Sequence, residues 1–177
     1  MAQLKIDVTS SDHRLGPDDA PVTLVEYGDY QCPGCGAAHR IVPRIRARFG
    51  PELRFVFRNF PLTTLHPQAL RAAEVAEFAG TRNRFWEMHD LLLENQERLG
   101  DALFANLAEH LGLPLEEMAR ELAARTHVSR IRDDFRGGVA SGVNGTPTFF
   151  INGVRFDGQV DEVNLVEALA QELLPAR

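Results

Sequence analysis

Two cysteines separated by a proline and a glycine lie where a strand-like run of the sequence gives way to a helix-like run. Cys32 and Cys35 are the only cysteines among the 177 residues. The preceding run, VTLVEY at residues 22–27, is apolar enough for a strand buried on both faces, as in the centre of a parallel sheet. The helical pattern begins at Pro33, whose fixed φ and missing N–H suit a first helical turn. This strand–loop–helix junction constrains the fold more than any other part of the chain.

The helical pattern predicts different surroundings for the two thiols. Apolar residues recur with the spacing of one helix face at Ala38, Ile41, Val42, Ile45 and Phe49. Counting back three residues from Ala38 places Cys35 on this face, towards the core, and leaves Cys32 as the N-cap at the exposed helix end. A helix N-terminus favours an anion by about 0.3–1 kcal/mol, and its free amides can donate to sulfur. We therefore predict a low-pKa attacking thiol at Cys32 and a resolving thiol at Cys35.

The same cysteine spacing has other interpretations. It can be half of a zinc site, but a tetrahedral site needs two more ligands. The sequence has no second cysteine pair, and its six histidines lack the usual paired spacing. A structural disulfide would close a very short loop and remove little entropy from the unfolded chain. We favour a redox dithiol that needs no metal or organic cofactor, and a non-catalytic zinc-binding or interaction module is the alternative.

Composition limits the partners and the compartment. The net charge is −6 with 44% hydrophobic residues, which is typical of a globular protein and unfavourable for binding nucleic acid. No apolar run approaches the length of a membrane span, so stable membrane insertion is not expected. The first residues, MAQLKIDVTSSDHRLG, lack the basic and apolar regions of a secretory signal. We therefore expect a cytoplasmic protein, or a periplasmic or otherwise extracytoplasmic one if the sequence is a trimmed form.

The first part of the chain predicts a strand–helix–strand unit. Alternating apolar residues predict an edge strand over residues 3–8, and residues 10–20 read as a turn-rich connection. Residues 53–60 predict a strand parallel to 22–27, since a helix over residues 33–49 connects the two. Pro43 should kink that helix because it removes a main-chain hydrogen bond.

The rest of the chain predicts helices and then a hairpin. Five helices are expected over residues 67–79, 84–93, 102–111, 114–125 and 127–143. Asp101 is expected to cap the third of them. Strands over residues 148–151 and 154–156 flank Asn152-Gly153, a strong hairpin signal, and residues 160–174 predict a last helix.

This order of elements and three motifs resemble the DsbA family of thiol-disulfide oxidoreductases in the thioredoxin superfamily. The motifs are DAPVTLVEY at residues 19–27, CPGC at 32–35 and GTPTFFING at 145–153. The resemblance implies an α/β thioredoxin fold, with a central mixed sheet flanked by helices and an inserted all-helical subdomain. Residues 1–65 and 128–177 would form a discontinuous thioredoxin-like domain, and residues 66–127 the helical insertion.

The resemblance also implies which residues meet the substrate. Pro147 is expected to follow a cis peptide bond, with Thr146 beside the dithiol and its main chain pairing with the substrate. Pro33 and Gly34, between the two cysteines, would belong to the same substrate-binding surface. The expected partners are protein substrates that contain disulfides or thiols, together with a redox partner that recycles the dithiol.

Glu26 is a carboxylate within the apolar run that precedes the dithiol. A buried carboxylate is costly unless it is hydrogen-bonded, paired or protonated. The family has an acid at this position, which the resemblance implies moves protons for Cys35, so Glu26 joins Cys32 and Cys35 as a predicted catalytic residue. A half-exposed strand residue without a catalytic role is the alternative.

The dipeptide between the cysteines leaves the direction of exchange open. This chain has Pro-Gly, where the DsbA oxidant has Pro-His and thioredoxin has Gly-Pro. Without the histidine, the Cys32 thiolate loses an electrostatic partner, and a less stabilised thiolate makes a less oxidising disulfide. An oxidase, a reductase and an isomerase all fit the sequence, and a glutathione-dependent transferase or isomerase on the same fold is a further alternative.

Three features lie outside these motifs. His39, four residues after Cys35, is expected to make a capping or solvent contact, although it could tune the dithiol. His66, before Pro67, is assigned to the start of the next helix. Residues 60–62 leave a strand at the active end of the sheet, and we expect them to help form an apolar peptide groove.

Overall fold

One mixed sheet organises residues 1–174, the part of the chain that the structure, a computed structural model, describes. Its strands are β1 (His13–Leu15), β2 (Val22–Gly28), β3 (Leu53–Asn59), β4 (Thr148–Ile151) and β5 (Val154–Arg155). The helices are α1 (Pro33–Phe49), α2 (Ala69–Gly80), α3 (Phe85–Glu94), α4 (Asp101–His110), α5 (Leu115–Ala123), α6 (Val128–Ala140) and α7 (Glu162–Glu172). Within this range, no helix has both the length and the apolar character needed to cross a bilayer.

The strand order is β1-β3-β2-β4-β5, with β2 at the centre. β2 pairs with β3 in parallel, from Val22 opposite Leu53 to Gly28 opposite Asn59. The pairs β1–β3, β2–β4 and β4–β5 are antiparallel. Parallel neighbours need a crossover connection, and α1 provides it. The predicted strand–helix–strand unit and the predicted hairpin are therefore both confirmed.

Alternation along β2 divides the interior into two hydrophobic clusters. Leu24 faces a large cluster that includes Cys35 and the apolar side of α1. Val25 and Tyr27 face a smaller cluster, against which Phe135 of α6 packs. Glu26 follows the same alternation as Leu24, so its carboxylate lies on the α1 side of the sheet, beneath the dithiol.

The prediction for the N-terminal edge strand is wrong. Residues 3–8 belong to no strand and make one isolated bridge, from Gln3 to Val154. The edge strand is instead β1, in the segment predicted to be a turn-rich connection. Side-chain contacts explain why residues 3–8 form no strand and why β1 forms at residues 13–15. Leu4 and Val8 pack against the smaller cluster without a ladder, whereas His13 in β1 is held by a 2.9 Å hydrogen bond to Glu77 of α2.

The chain between β3 and α6 contains helices α2 to α5 and no strand, as predicted. Asp101 does not cap α4, because it is the first helical residue and Gly100 occupies the N-cap without a side-chain hydrogen bond. α1 continues through Pro43 to Phe49, and the expected kink stays a prediction. The division into residues 1–65 with 128–177 and residues 66–127 also stays a prediction, and its last three residues, 175–177, lie outside the described residues.

Candidate active site

Cys32 is the N-cap of α1, with extended φ and ψ of −73° and 122°, and Pro33 is the first helical residue. The Cys32 N–H donates to the carbonyl of Asp29 at 3.1 Å, and the Cys32 carbonyl accepts from the N–H groups of Cys35 and Gly36 at 3.0 and 3.2 Å. These bonds form the first turn of the helix around Cys32. The predicted N-cap position is confirmed.

The surroundings of Cys32 favour its thiolate. A hydrogen bond from the Cys35 thiol is the main cause that lowers the pKa of Cys32, to about 5. The side chain of Thr146 and the N–H groups of Cys35 and Gly34 lower this pKa further, while burial opposes them. At neutral pH the Cys32 sulfur is therefore ionised, which is the form of a thiol that reacts as a nucleophile.

Cys32 is less exposed than its position at a helix end predicts. Its exposed fraction is 8%, against 0% for Cys35. Thr146 covers the sulfur, since its carbonyl oxygen lies 3.2 Å from the Cys32 sulfur, where it can accept a hydrogen bond from the protonated form of the thiol. The expectation of an openly exposed Cys32 is therefore wrong, although Cys32 is the more accessible of the two thiols.

Cys35 is a free thiol in the core beneath the helix end. Its sulfur accepts a hydrogen bond from the Asp29 N–H at 3.3 Å. Burial raises the pKa of Cys35 well above its ordinary value, and the hydrogen bond to Cys32 and the charge of Glu26 raise it further. The pair therefore holds a thiolate at Cys32 and a proton at Cys35 over a wide pH range.

Glu26 is buried on the same side of the sheet, with an exposed fraction of 3%, so it is not a half-exposed strand residue. Burial, followed by the charge of Cys32, raises the pKa of Glu26 to about 8. The carboxyl group borders a cavity of about 30 Å³ that His39 and Asp90 also line. Such a volume has room for a water molecule. Glu26 is thus protonated at neutral pH and lies beside a cavity large enough for one water molecule.

The loop before β4 lies directly beside the dithiol. The Thr146–Pro147 peptide bond is cis. The Thr146 hydroxyl is buried without a hydrogen-bond partner. Gly34 is close to this loop, because a Cβ atom there would lie 2.9 Å from Cδ of Pro147. Pro33 is exposed next to them. The structure therefore brings together the four residues predicted to bind substrate.

Asp29 contributes to the site without having been predicted to do so. Its Oδ1 accepts from the Gln31 N–H at 2.8 Å, and its Oδ2 accepts from the Leu62 N–H at 2.8 Å. Oδ2 also lies 2.8 Å from Nδ1 of His66. The assignment of His66 to a helix start is therefore incomplete, because only its main-chain carbonyl serves that helix, through the Ala69 N–H. An acid directly after a buried strand was the available signal for Asp29.

Gln96 is a second unpredicted contributor. Its Nε2 donates to the carbonyl oxygens of Tyr30 at 2.9 Å and Cys32 at 2.8 Å. Gly36 leaves the space that this side chain fills, because a Cβ atom there would lie 2.1 Å from Oε1 of Gln96. Gln96 follows α3, far along the chain from the dithiol, and no local pattern could have pointed to it.

One group of residues within 1–174 could hold a metal ion. Ligand atoms of His39, His89 and Asp90 lie within 4.8 Å of one another, and neither cysteine belongs to the group. Nδ1 of His89 is already hydrogen-bonded to the Tyr30 hydroxyl at 3.0 Å, and burial lowers the pKa of His89 well below its ordinary value. His39 itself is half-buried and lines the Glu26 cavity, and its ring nitrogens lie 3.9 Å from Asp90 and 3.8 Å from Glu94.

Comparison with known proteins decides the family. A family model described as Thioredoxin matches residues 8–171. The chain belongs to the thioredoxin family. It has the thioredoxin fold that the sequence predicted, and proteins of the DsbA type are among the solved structures that share this fold. This thioredoxin-family protein therefore has relatives that support a thiol-disulfide oxidoreductase activity for its Cys32–Cys35 pair.

The solved structures resemble the protein over nearly its whole length. BdbD from Bacillus subtilis is 28% identical with a TM-score of 0.85, and the match covers 97% of this chain and 96% of that one. A thioredoxin-like oxidoreductase from Silicibacter pomeroyi is 26% identical with a TM-score of 0.83, covering 95% of each chain. α-DsbA1 from Wolbachia pipientis, at 20% identity and a TM-score of 0.79, shares the fold.

Curated relatives of this thioredoxin-family protein are much longer. The Na⁺/H⁺ antiporter NhaA 1 of Salinispora arenicola is 46% identical over 165 residues, which are 93% of this chain and 24% of the antiporter. NhaA 1 of Mycobacterium sp. strain KMS is 40% identical over 162 residues, 89% of this chain and 26% of that protein. The chain spans about a quarter of the length of these relatives, so the likeness concerns one segment of each.

Proposed function

We propose that this protein oxidises pairs of thiols in protein substrates by exchange with a Cys32–Cys35 disulfide. The stabilised thiolate of Cys32, with a pKa of about 5, carries the proposal. A disulfide that releases a stabilised thiolate is reduced more readily and is therefore a stronger oxidant. Comparable cysteines have pKa values of about 7 in thioredoxin and about 3.5 in DsbA. The Cys32 pKa supports an oxidant of intermediate strength.

The proposed reaction begins at Cys32, the more exposed sulfur of the pair. A substrate thiolate attacks Cys32 and forms a mixed disulfide, and the Cys32–Cys35 bond breaks with its electron pair on Cys35. Glu26, protonated at neutral pH, supplies the proton that Cys35 takes up. A second substrate thiolate then attacks the substrate sulfur and releases Cys32 as a thiolate. The substrate loses two electrons in forming its disulfide, and the dithiol gains them.

We assign substrate contacts to the surface around the dithiol. The main chain of Thr146 lies next to the Cys32 sulfur, where an extended peptide segment can pair with it. Pro33, Gly34 and Pro147 flank the same position. An apolar hollow of about 180 Å³, lined in part by Pro61 and Phe135, is available for a substrate side chain. A separate redox partner must reoxidise the dithiol after each cycle, because the reaction leaves it reduced.

Trapping and equilibrium experiments test the proposal. The oxidised protein should form disulfides in a reduced, unfolded substrate protein, and Cys35→Ser should accumulate mixed disulfides through Cys32. Cys32→Ser is the matched control and should trap none. Equilibration with glutathione should give a potential above about −270 mV, the value of thioredoxin. A lower potential would make the protein a reductant, and turnover that requires glutathione as co-substrate would favour the transferase alternative.

A further inference from the structure

We propose that Asp29 is a positioning residue for the resolving thiol. Its carboxylate, held by the loop of residues 62–66, fixes the main-chain N–H that donates to the Cys35 sulfur. The inference rests on the proposed function, because it concerns the step in which Cys35 carries negative charge. Asp29 and His66 are polar side chains that take no direct part in the reaction described above.

The backbone of Asp29 touches both cysteines. Asp29 is the first residue after β2, and its N–H lies 3.3 Å from the Cys35 sulfur. Its carbonyl accepts from the Cys32 N–H at 3.1 Å. A shift of the Asp29 N–H would therefore weaken the donor to Cys35, whereas the carbonyl of the same residue can keep its bond to the Cys32 N–H. The hydrogen bond to the Cys35 sulfur therefore depends on a fixed main-chain conformation at Asp29.

The carboxylate of Asp29 provides that restraint. It is buried, with an exposed fraction of 1% for the residue, and a buried carboxylate is stable only when its oxygens are hydrogen-bonded. The N–H groups of Gln31 and Leu62 and the ring of His66 each bind it at 2.8 Å. Gln31 belongs to the same turn, whereas Leu62 and His66 belong to the loop after β3. The carboxylate thus anchors the turn to a separate part of the fold.

The restrained N–H is a contact that favours a Cys35 thiolate. Glu26 on β2 and Cys32 on α1 both disfavour negative charge on Cys35, and so does burial. The Asp29 N–H acts in the opposite direction. Cys35 carries the charge when it leaves the disulfide and when it attacks a mixed disulfide. Loss of this donor should therefore slow the Cys35 step and spare the attack by Cys32.

The test separates these two steps in single-turnover kinetics of the reduced protein with a small aromatic disulfide. Asparagine has a single side-chain oxygen, so Asp29→Asn cannot accept from both Leu62 and Gln31, and the Asp29 N–H is held less firmly. Release of the mixed disulfide by Cys35 should then slow about tenfold, the effect expected when a hydrogen bond to a charged group is weakened. Attack by Cys32 should stay within about twofold of the unchanged protein. His66→Ala should slow the Cys35 step, and His66→Gln, whose amide can still donate to Asp29, should restore it.

A second histidine–carboxylate pair supplies the control. His127 lies 2.7 Å from Glu121, away from the dithiol, so Glu121→Gln should leave both steps unchanged. An unchanged Cys35 step in folded Asp29→Asn would overturn the inference, whatever the loss of thermal stability. If Asp29→Asn does not fold, equal Cys35 rates in His66→Ala and His66→Gln overturn it instead. An absence of both steps in the unchanged protein would contradict the proposed function itself.

Discussion

The sulfur of Cys32 lies 3.2 Å from the carbonyl oxygen of Thr146, a residue 114 positions further along the chain. The sheet explains this contact, because β4 pairs antiparallel with β2 and sets Thr148 opposite Tyr27. The loop that leads into β4 must then pass the end of β2, where α1 begins. Central strand pairing, rather than any local motif, therefore brings the two halves of the site together.

Thr146→Val should raise the pKa of Cys32 above about 5. The Thr146 side chain lowers this pKa, and its buried hydroxyl, which has no hydrogen-bond partner in the structure, is free to donate to the Cys32 thiolate. Valine has a similar shape without the hydroxyl, and loss of one hydrogen bond to a charged group corresponds to about one pKa unit. Thiolate absorbance measured against pH checks this. Thr148→Val is the matched control, since its hydroxyl donates to Gly145 at 2.8 Å and the Cys32 pKa should not move.

Glu26→Gln should alter the pH dependence of the Cys35 step. In the unchanged protein, Cys35 needs a base when it attacks a mixed disulfide, and Glu26 becomes that base as the pH rises through its pKa of about 8. The glutamine variant should react about tenfold or more slowly at pH 9 and lose the rise near pH 8. Stopped-flow kinetics between pH 6 and 9 give the comparison, and superimposable profiles would remove Glu26 from the mechanism.

The same variant should be more stable than the unchanged protein at pH 7. Burial raises the pKa of Glu26 from 4.5 to about 8, so the folded protein holds a proton that the unfolded chain releases above pH 4.5. Stability therefore falls as the pH rises from 4.5 to 8, and glutamine removes this loss. The free energy of unfolding should increase by about 1–3 kcal/mol at pH 7. Denaturant titrations at pH 4 should show no such gain.

Gly34→His should make the disulfide more oxidising. An imidazolium next to Cys32 would stabilise the thiolate, and a tenfold change in the equilibrium constant corresponds to about 30 mV. The potential should therefore rise by at least about 30 mV, as measured by equilibration with glutathione. Gly34→Ala is the control for crowding, because a Cβ atom at this position lies 2.9 Å from Pro147. Equal potentials in the two variants would show that packing, and not charge, sets the value.

Local sequence patterns predicted the part of the fold that local forces determine. The start of α1 followed from Pro33 and the helical spacing, and its end from Gly50, which has the positive φ of 53° that glycine adopts readily. The hairpin followed from Asn152-Gly153, both of which have positive φ. The N-terminal strand could not be predicted, because packing satisfies the alternation at Leu4 and Val8 without strand pairing.

The candidate site likewise has features that local sequence patterns predicted and features that they did not. The helical spacing indicated which cysteine faces the core, and the apolar run around Glu26 indicated a buried acid. The partners of Asp29 come from the loop of residues 62–66, and the limited exposure of Cys32 comes from Thr146. Gln96 reaches the site from beyond α3. These contacts depend on tertiary structure, so spacing along the chain carries no signal for them.

Alkylation of the reduced protein as a function of pH tests the central claim most directly. Cys35 is buried with a pKa well above its ordinary value, so the reaction should report Cys32 alone, and mass spectrometry confirms the modified residue. The rate should follow a titration with a midpoint near pH 5, in keeping with the Cys32 pKa of about 5. A midpoint near the value of a free thiol, about 8.5, would contradict the account.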